Sequence, residues 1–115
     1  MTRAVGEITA ALPDFEVVSV PYCRQTGRLL ADAARLHGDE AVYLVASRPD
    51  TRWWRDLTDR TPVIIVFLRG RLRFGGAAGA APFPSALVYR GRRLVEFERL
   101  SRNLGIVCRP VERAA

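Results

Sequence analysis

The sequence contains no lysine, so all 18 of its basic residues are arginines. A GC-rich genome produces this bias, but arginine also carries the planar fork of donors that suits phosphates and guanine edges. The sequence has only two cysteines, Cys23 and Cys108, which are too few and too far apart for a zinc motif. We therefore expect two reduced thiols and no metal site.

Long apolar runs are also absent. No run approaches the roughly 20 residues that a transmembrane helix needs, and the segment from Met1 to Glu7 lacks the apolar centre of a signal peptide. We therefore expect a cytoplasmic protein with no membrane partner. Because 49% of the 115 residues are hydrophobic, length and composition predict a single globular domain over residues 1–115.

The positive charge is distributed unevenly along the chain. Residues 1–47 contain four arginines and six acidic residues, whereas residues 48–115 contain fourteen arginines and six acidic residues. The formal net charge of +6 therefore comes from the second part of the chain. This clustering indicates an anionic partner, either a nucleic acid such as DNA or an acidic protein or nucleoprotein surface.

The order of apolar patterns predicts an α/β fold. Periodicity and turn residues predict helices at 4–12, 24–37, from 50 onward and at 94–104, and strands at 15–20, 41–46, 63–68, 86–89 and 106–108. Alternating strands and helices are typical of a parallel sheet, whose sites lie beyond the C-terminal ends of the strands. That rule points to Ser19–Cys23, to Ala46–Thr51 and to the residues from Arg69 onward.

The stretch 62–90 combines two apolar runs with a basic segment, and no acidic residue occurs within it. In an extended chain Arg71 and Arg73 share one face, while Leu72 and Phe74 take the other. We therefore predict a strand pair that presents a cationic face.

Five residues of this basic half are candidate contacts to a nucleic acid or to another partner. Arg52, Arg69, Arg71 and Arg73 are suited to phosphate contacts, and a solvated charged surface is the alternative interpretation. Trp53 and Trp54 are adjacent, so we expect one to face the core and the other the loop surface. Trp53 is the candidate for stacking on a base.

Four segments, in this order, resemble the C-terminal half of phage-type DNA N6-adenine methyltransferases. They are Val18-Ser-Val-Pro-Tyr22, Arg48-Pro-Asp-Thr-Arg-Trp-Trp54, Phe67-Leu-Arg-Gly-Arg-Leu-Arg-Phe74 and Ala81-Pro-Phe-Pro-Ser-Ala-Leu-Val88. The resemblance covers residues 15–90, and residues 91–115 would form a C-terminal helix and strand extension. It implies a truncated Rossmann-like, methyltransferase-like mixed sheet with flanking helices.

The resemblance also assigns roles to residues of the first segment. In the family this strand ends in Asn-Pro-Pro-Tyr, whose Asn and a backbone carbonyl accept hydrogen bonds from the target adenine while the aromatic ring stacks on the flipped base. Here Ser19 stands in place of the Asn and Val20 in place of the first Pro, while Pro21 and Tyr22 match. Ser19, Pro21 and Tyr22 are therefore the candidate catalytic positions of a degenerate motif.

The resemblance implies an incomplete cofactor site. The family builds its S-adenosylmethionine site largely on strands that precede the Asn-Pro-Pro-Tyr strand, and only 14 residues precede Phe15 here. The segment Gly75–Gly79 lacks the strand–loop–helix context of a nucleotide loop and matches the family's own flexible loop. We expect no cofactor, with S-adenosylmethionine as the cofactor if the family activity is retained.

Two functions follow as expectations. The first is a phage or prophage protein that resembles the target-recognition half of a DNA adenine methyltransferase, is catalytically inactive alone and binds nucleic acid. The second is a non-enzymatic interaction protein, such as a phage-encoded inhibitor of a host CRISPR or restriction complex. In the complete family fold the strand 15–20 has a neighbour on its outer side. We expect the tail, residues 91–115, to cover that edge, within one chain or in a homodimer.

Overall fold

The computed structural model describes residues 2–38, 40–59, 62–73 and 83–111, with the side chains of residues 2 and 3 left out. The described chain is a mixture of helices and strands, as the sequence predicts. The helices are α1 (Val5–Ala11), α2 (Thr26–His37), α3 (Arg52–Thr58) and α4 (Leu94–Ser101). The strands are β1 (Thr2–Ala4), β2 (Val17–Ser19), β3 (Ala41–Ala46), β4 (Val63–Leu68), β5 (Arg71–Arg73), β6 (Ser85–Arg90) and β7 (Gly105–Cys108).

Five of the strands form one mixed sheet in the order β2-β3-β6-β4-β7. β2 and β3 are parallel, and β6 is antiparallel to both of its neighbours, so β2, β3 and β4 all run in the same direction. The expected mixed α/β sheet is therefore confirmed, whereas the parallel order that the alternation of strands and helices indicates holds for β2, β3 and β4 but not for β6 and β7. β6 returns between β3 and β4 in the opposite direction, and an antiparallel return does not require a crossover helix.

The sheet carries a hydrophobic core on each of its faces. Val42 and Leu44 point to the face covered by α1 and α4, whereas Tyr43 and Val45 point to the face covered by α2 and α3. Every residue of β3 is buried. This two-sided burial explains why the central strands are continuous apolar runs without alternation.

The basic segment forms a second, two-stranded sheet. β5 pairs in parallel with β1, with Arg71 opposite Thr2 and Arg73 opposite Ala4. Arg71 and Arg73 are exposed and Leu72 is buried, which confirms the predicted alternation for these three residues. Phe74 lies outside the described residues. β5 does not continue β4, because Gly70 turns the chain with a left-handed φ of 79°.

The tail contains the predicted helix and strand, but its strand lies at the other edge of the sheet. β7 pairs with β4, with Gly105 opposite Leu68, so the expectation that β7 covers β2 within the chain is wrong. Glycine permits the close backbone approach of this pairing, because a Cβ at Gly105 would overlap the Phe67 carbonyl. In the described part of the chain, β2 has no strand on its outer side.

The tail nevertheless reaches the start of β2 through α4. The Nη2 of Arg93 donates to the Asp14 carbonyl at 2.9 Å, and its guanidinium carbon lies 4.0 Å from the centroid of the Phe15 ring. Phe97 is fully buried and packs edge-on against Phe15 with ring centroids 5.7 Å apart. Among the described helices, none is long and apolar enough to cross a membrane.

Candidate functional site

Three loops that the sequence singled out lie together at one end of the five-stranded sheet, where β2, β3 and β4 terminate. In this subsection, the edge of the sheet means this end of the strands. Because β2, β3 and β4 run in the same direction, the segments that follow Ser19, Ala46 and Leu68 emerge at this edge. β6 runs in reverse, so its first residue, Ser85, lies at the same edge. The expectation about where these loops emerge is confirmed even though the sheet is mixed.

A cavity of about 290 Å³ opens at this edge, at the ends of β2, β3 and β6. Four of its lining residues form two pairs between neighbouring strands. Ser19 is opposite Leu44, and Ser85 is opposite Ala46. We call this space the edge cavity. Its lining residues are Ser19, Val20, Pro21, Tyr22, Leu44, Val45, Ala46, Phe83 and Ser85.

Two aromatic rings stand together in the lining of the edge cavity. Tyr22 and Phe83 are arranged edge to face, with ring centroids 5.5 Å apart. Tyr22 keeps 40% of its surface exposed, which is unusual for a large ring and leaves it available to a ligand. Pro21 precedes Tyr22 and fixes the backbone there, because its φ is locked by the ring.

Arg48 holds the Tyr22 ring from the neighbouring loop. Its Nη1 donates to the Tyr22 hydroxyl oxygen at 2.6 Å, while its Nε and Nη2 donate to the two Asp50 carboxylate oxygens at 3.0 and 2.8 Å. These bonds raise the pKa of Arg48 above its usual range and lower the pKa of Asp50. Both groups are therefore charged at neutral pH, and Arg48 is a permanent donor to Tyr22.

Thr26 fixes the loop that carries Tyr22. Its side chain is buried in the first turn of α2 and its Oγ1 accepts a hydrogen bond from the Cys23 N–H at 2.8 Å. The same hydroxyl lies 2.8 Å from the carbonyl oxygens of Pro21 and Cys23, and it donates to one of them. A buried threonine thus ties the loop that carries Tyr22 to α2.

The polar groups facing the edge cavity are neutral. None of its lining residues is acidic or basic, and Ser19, Tyr22 and Ser85 supply hydroxyls. Ser85 is only 2% exposed and lines this cavity. Apolar and aromatic walls with a few hydroxyls suit a small, flat, uncharged ligand that has a hydrogen-bonding edge.

The candidate arginines lie around this edge and not inside the cavity. Arg69, Arg71 and Arg73 are exposed beyond the end of β4, and Arg52 is exposed as the first residue of α3. None of the four forms an ion pair with a described residue. Unpaired, exposed arginines of this kind are available to an anionic partner.

The two tryptophans divide as expected between the core and a more exposed position. Trp54 is buried and stacks on Phe67, with ring centroids 6.1 Å apart. Trp53 is half-buried and lines a separate cavity of about 330 Å³ between α2 and α3, where Gly27 lies close to its Cβ. The structure therefore does not bring Trp53 together with Ser19, Pro21 and Tyr22.

Four residues of the site were not identified from the sequence: Thr26, Arg48, Phe83 and Ser85. The last three lie inside segments that carry the resemblance, so closer attention to those segments would have found them. Thr26 lies outside these segments, and its only signal was the position of a threonine at the start of the predicted helix.

The elements that precede β2 are β1, which pairs with β5, and α1, whose Ile8 belongs to the core between the sheet and α4. In the described residues no group of three His, Cys, Asp or Glu side chains is placed to hold a metal ion. No family model matches the sequence, and neither a curated protein nor a solved structure matches it.

Proposed function

We propose that this chain binds nucleic acid through the edge cavity and the surrounding arginines, as a protein of phage or prophage origin that resembles the target-recognition half of a DNA adenine methyltransferase. By itself it transfers no methyl group. This proposal rests on one observation: segments that carry the resemblance and are distant in sequence contact one another in the fold. Tyr22 of the first segment contacts both Arg48 of the second and Phe83 of the fourth.

The dimensions and chemistry of the edge cavity support a nucleobase as its ligand. About 290 Å³ lies at the lower end of the range of ligand pockets, which suits a single ring system better than a whole cofactor. Proteins that bind an unstacked base place it against aromatic rings and hydrogen-bond its edge. Tyr22 and Phe83 would supply the rings, and the serine hydroxyls the hydrogen bonds.

The arginines outside the cavity support a phosphate backbone as the rest of the ligand. Arg69, Arg71 and Arg73 follow β4, which is two strands away from β3 at the same edge. A strand of nucleic acid that places one base in the cavity would extend along this edge. Phosphate contacts supply affinity without sequence preference.

The absence of methyl transfer is supported by two features. Ser19 is shorter than the Asn of the family motif and lacks an amide oxygen, so it does not reproduce the acceptor for the adenine amino group. The outer side of β2, where the resemblance would place the cofactor half, carries no described strand.

Binding of labelled single-stranded oligonucleotides, measured by fluorescence anisotropy at several salt concentrations, tests the proposal. We expect affinity to fall steeply between about 50 and 200 mM salt, because counterions are released on binding. Replacing Arg71 and Arg73 together by Ala should weaken binding to all sequences. It should also reduce the magnitude of the slope of log K against log salt concentration by about 0.7 for each lost phosphate contact.

A matched control separates these contacts from net charge. Arg55 in the last turn of α3 and Arg92 after β6 are exposed, and replacing both by Ala removes the same charge at the other end of the strands, where β4 begins and β6 ends. This control should leave the salt slope close to that of the wild type. Absence of binding at low salt, or binding that does not depend on salt, would contradict the proposal.

The unpaired edge of β2 favours a second candidate function. An extended segment of another protein could add to this edge as a strand, because Val17 and Val18 are only half-buried and an open edge recruits other chains. That arrangement suits a non-enzymatic interaction protein, such as a phage-encoded inhibitor of a host defence complex. Failure to bind any nucleic acid would favour this candidate.

A further inference from the structure

The outer edge of β2 carries no strand in the described part of the chain. We infer that two copies of this chain associate through this edge, with their β2 strands paired antiparallel and α2 of one copy against α2 of the other. The five-stranded sheet of one copy would then continue into that of the second. This association is independent of nucleic-acid binding.

The backbone groups that β2 presents outward belong to two residues. Toward β3, the Glu16 carbonyl accepts from the Val42 N–H at 2.8 Å, and the Val20 N–H also donates to this neighbouring strand. Because the backbone groups of successive strand residues point to opposite sides, those of Val17 and Ser19 point away from β3. The outer edge therefore offers two N–H donors and two carbonyl acceptors.

These outward groups fit a second copy of the same edge. When two antiparallel β2 strands place Val17 opposite Ser19 of the second copy, each such pair exchanges two hydrogen bonds. Val18 then lies on the two-fold axis, opposite the same residue of the second copy. The next outward pair would be Phe15 with Pro21. It forms no such exchange, because Pro21 has no N–H and the Phe15 N–H already donates within its own chain.

An apolar strip on α2 extends this surface. Leu29, Ala33 and Leu36 recur at helical spacing and share one side of α2, and we call them the α2 strip. The opposite side of the helix, with Gly27 and Ala34, lines the cavity toward α3, so the α2 strip faces the outer edge of β2. Leu36 is 81% exposed, which leaves an apolar side chain beside an open strand.

The α2 helix runs in the opposite direction to β2 beside it. At the end of α2, Nδ1 of His37 lies 3.8 Å from Oε1 of Glu16. At its start, the Thr26 hydroxyl lies 2.8 Å from the Pro21 carbonyl oxygen. Because Val18 lies between Glu16 and Pro21, the middle of the α2 strip is level with it.

A two-fold axis at Val18 therefore makes the α2 strip self-complementary, since it places Leu29 of one copy level with Leu36 of the second copy. A specific dimer buries roughly 1,200–2,000 Å² in total, more than the short strand edge alone provides. A second copy supplies a strand and a helix together. A single extended segment of another protein would cover the strand edge and leave Leu36 exposed.

Sedimentation equilibrium of the whole chain tests this inference. Over protein concentrations from about 1 to about 200 µM, the mass should rise from 12.8 kDa toward twice that value. Leu36→Glu should raise the dissociation constant by about tenfold or more, because two carboxylates would be buried against apolar side chains. Ile106→Glu is the matched control. Ile106 is 65% exposed on β7, at the opposite edge of the sheet, and its replacement should change the dissociation constant by less than about twofold.

Introduced cysteines test the register of the two β2 strands. In a chain whose Cys23 and Cys108 are replaced by Ser, Val18→Cys should form a disulfide between copies when diamide is added as the oxidant. Directly opposed residues of an antiparallel pair lie within the Cα distance that a disulfide spans. Ser19→Cys in the same background is the control. It should cross-link at least about fivefold less, because position 19 faces position 17 of the second copy.

Three results would overturn the inference. A mass of 12.8 kDa at every concentration would do so, and it would leave the edge of β2 free for a segment of another protein. Dissociation by Ile106→Glu and not by Leu36→Glu would place the contact at β7. Cross-linking at position 19 in preference to position 18 would contradict the register. Unchanged far-ultraviolet circular dichroism of each variant establishes that the fold is retained.

Discussion

Arg48 donates a hydrogen bond to the hydroxyl oxygen of Tyr22 across 26 residues of sequence, at 2.6 Å. The bond joins the loops that follow two neighbouring parallel strands, β2 and β3. Asp50 holds the other side of the same guanidinium through two further hydrogen bonds. The orientation of the ring at the edge cavity is thus set by a charged pair that does not itself line the cavity.

This relationship predicts graded effects of substitutions at Tyr22. Tyr22→Phe keeps the ring but loses the bond to Arg48, so we expect oligonucleotide binding to weaken by about twofold to tenfold. Tyr22→Ala also removes the stacking surface and should weaken binding further, by about fivefold to a hundredfold. Fluorescence anisotropy measures both, and Tyr43→Phe serves as a control with a buried ring. Wild-type affinity of Tyr22→Ala would contradict the role of the ring.

The second prediction concerns catalysis. The isolated chain should transfer no labelled methyl groups from S-adenosylmethionine to duplex DNA, because Ser19 stands where the methyltransferases it resembles have Asn and no described strand lies on the outer side of β2. Ser19→Asn should not restore transfer, since the cofactor would still lack its binding half. Incorporation above background by the wild-type chain would contradict both statements.

The third prediction contrasts two buried tyrosines. The Tyr43 hydroxyl has no hydrogen-bond partner in the described residues, so Tyr43→Phe should leave the free energy of unfolding unchanged or raise it slightly. The Tyr89 hydroxyl accepts from the Arg93 N–H at 2.7 Å. Tyr89→Phe leaves that donor unpaired and should cost about 1–3 kcal/mol. Urea unfolding at neutral pH measures both values, and equal costs would contradict this distinction.

The pH dependence of stability supplies a fourth prediction. Burial first, and then the nearby Glu40 carboxylate, raise the pKa of Tyr89 to about 12. The folded state favours the neutral phenol, so the stability from Tyr89 is present below its unfolded pKa of about 10 and is lost as the pH rises through about 12. As the pH rises from about 10 to about 12, the free energy of unfolding of Tyr89→Phe should fall less than that of the wild type. Parallel losses in the two proteins would contradict the assignment.

The fifth prediction tests the position of the tail. Gly105→Ala should lower the free energy of unfolding by about 2 kcal/mol or more, because the added Cβ meets the backbone of Phe67 and Leu68, which cannot move aside cheaply. Gly6→Ala is the control, since a Cβ at this position of α1 would meet no neighbouring atom within 4 Å, and alanine favours helix. Equal stability of the two variants would contradict the close pairing of β7 with β4.

The strands were predictable where apolar runs are continuous. Ala41–Ala46 was predicted with the bounds that β3 has, because burial on both faces of a sheet leaves a signature in the sequence itself. The direction of β6, the pairing of β1 with β5 and the edge chosen by β7 were not predictable. Each depends on contacts between distant segments, such as Gly105 against Phe67, that no local pattern records.

The candidate site was predictable to a similar extent. Pro21 and Tyr22 stood out in one short segment, and the rule that sites lie beyond strand ends pointed to the end of the sheet at which the edge cavity opens. Thr26 and Arg48 were missed because their roles arise from hydrogen bonds to that segment, and Ser85 because it reaches the cavity only through the pairing of β6 with β3. Such features exist only once the strands are assembled.

The central claim is that a base enters the edge cavity beneath Tyr22. Titration of isotope-labelled protein with a short single-stranded oligonucleotide, followed by NMR chemical shifts, tests it most directly. The account predicts that the largest shifts occur at Ser19–Cys23, at Ala46–Arg48 and at Phe83 and Ser85, with smaller shifts at Arg71–Arg73. Shifts confined to the arginines, with the three cavity loops unchanged, would contradict it.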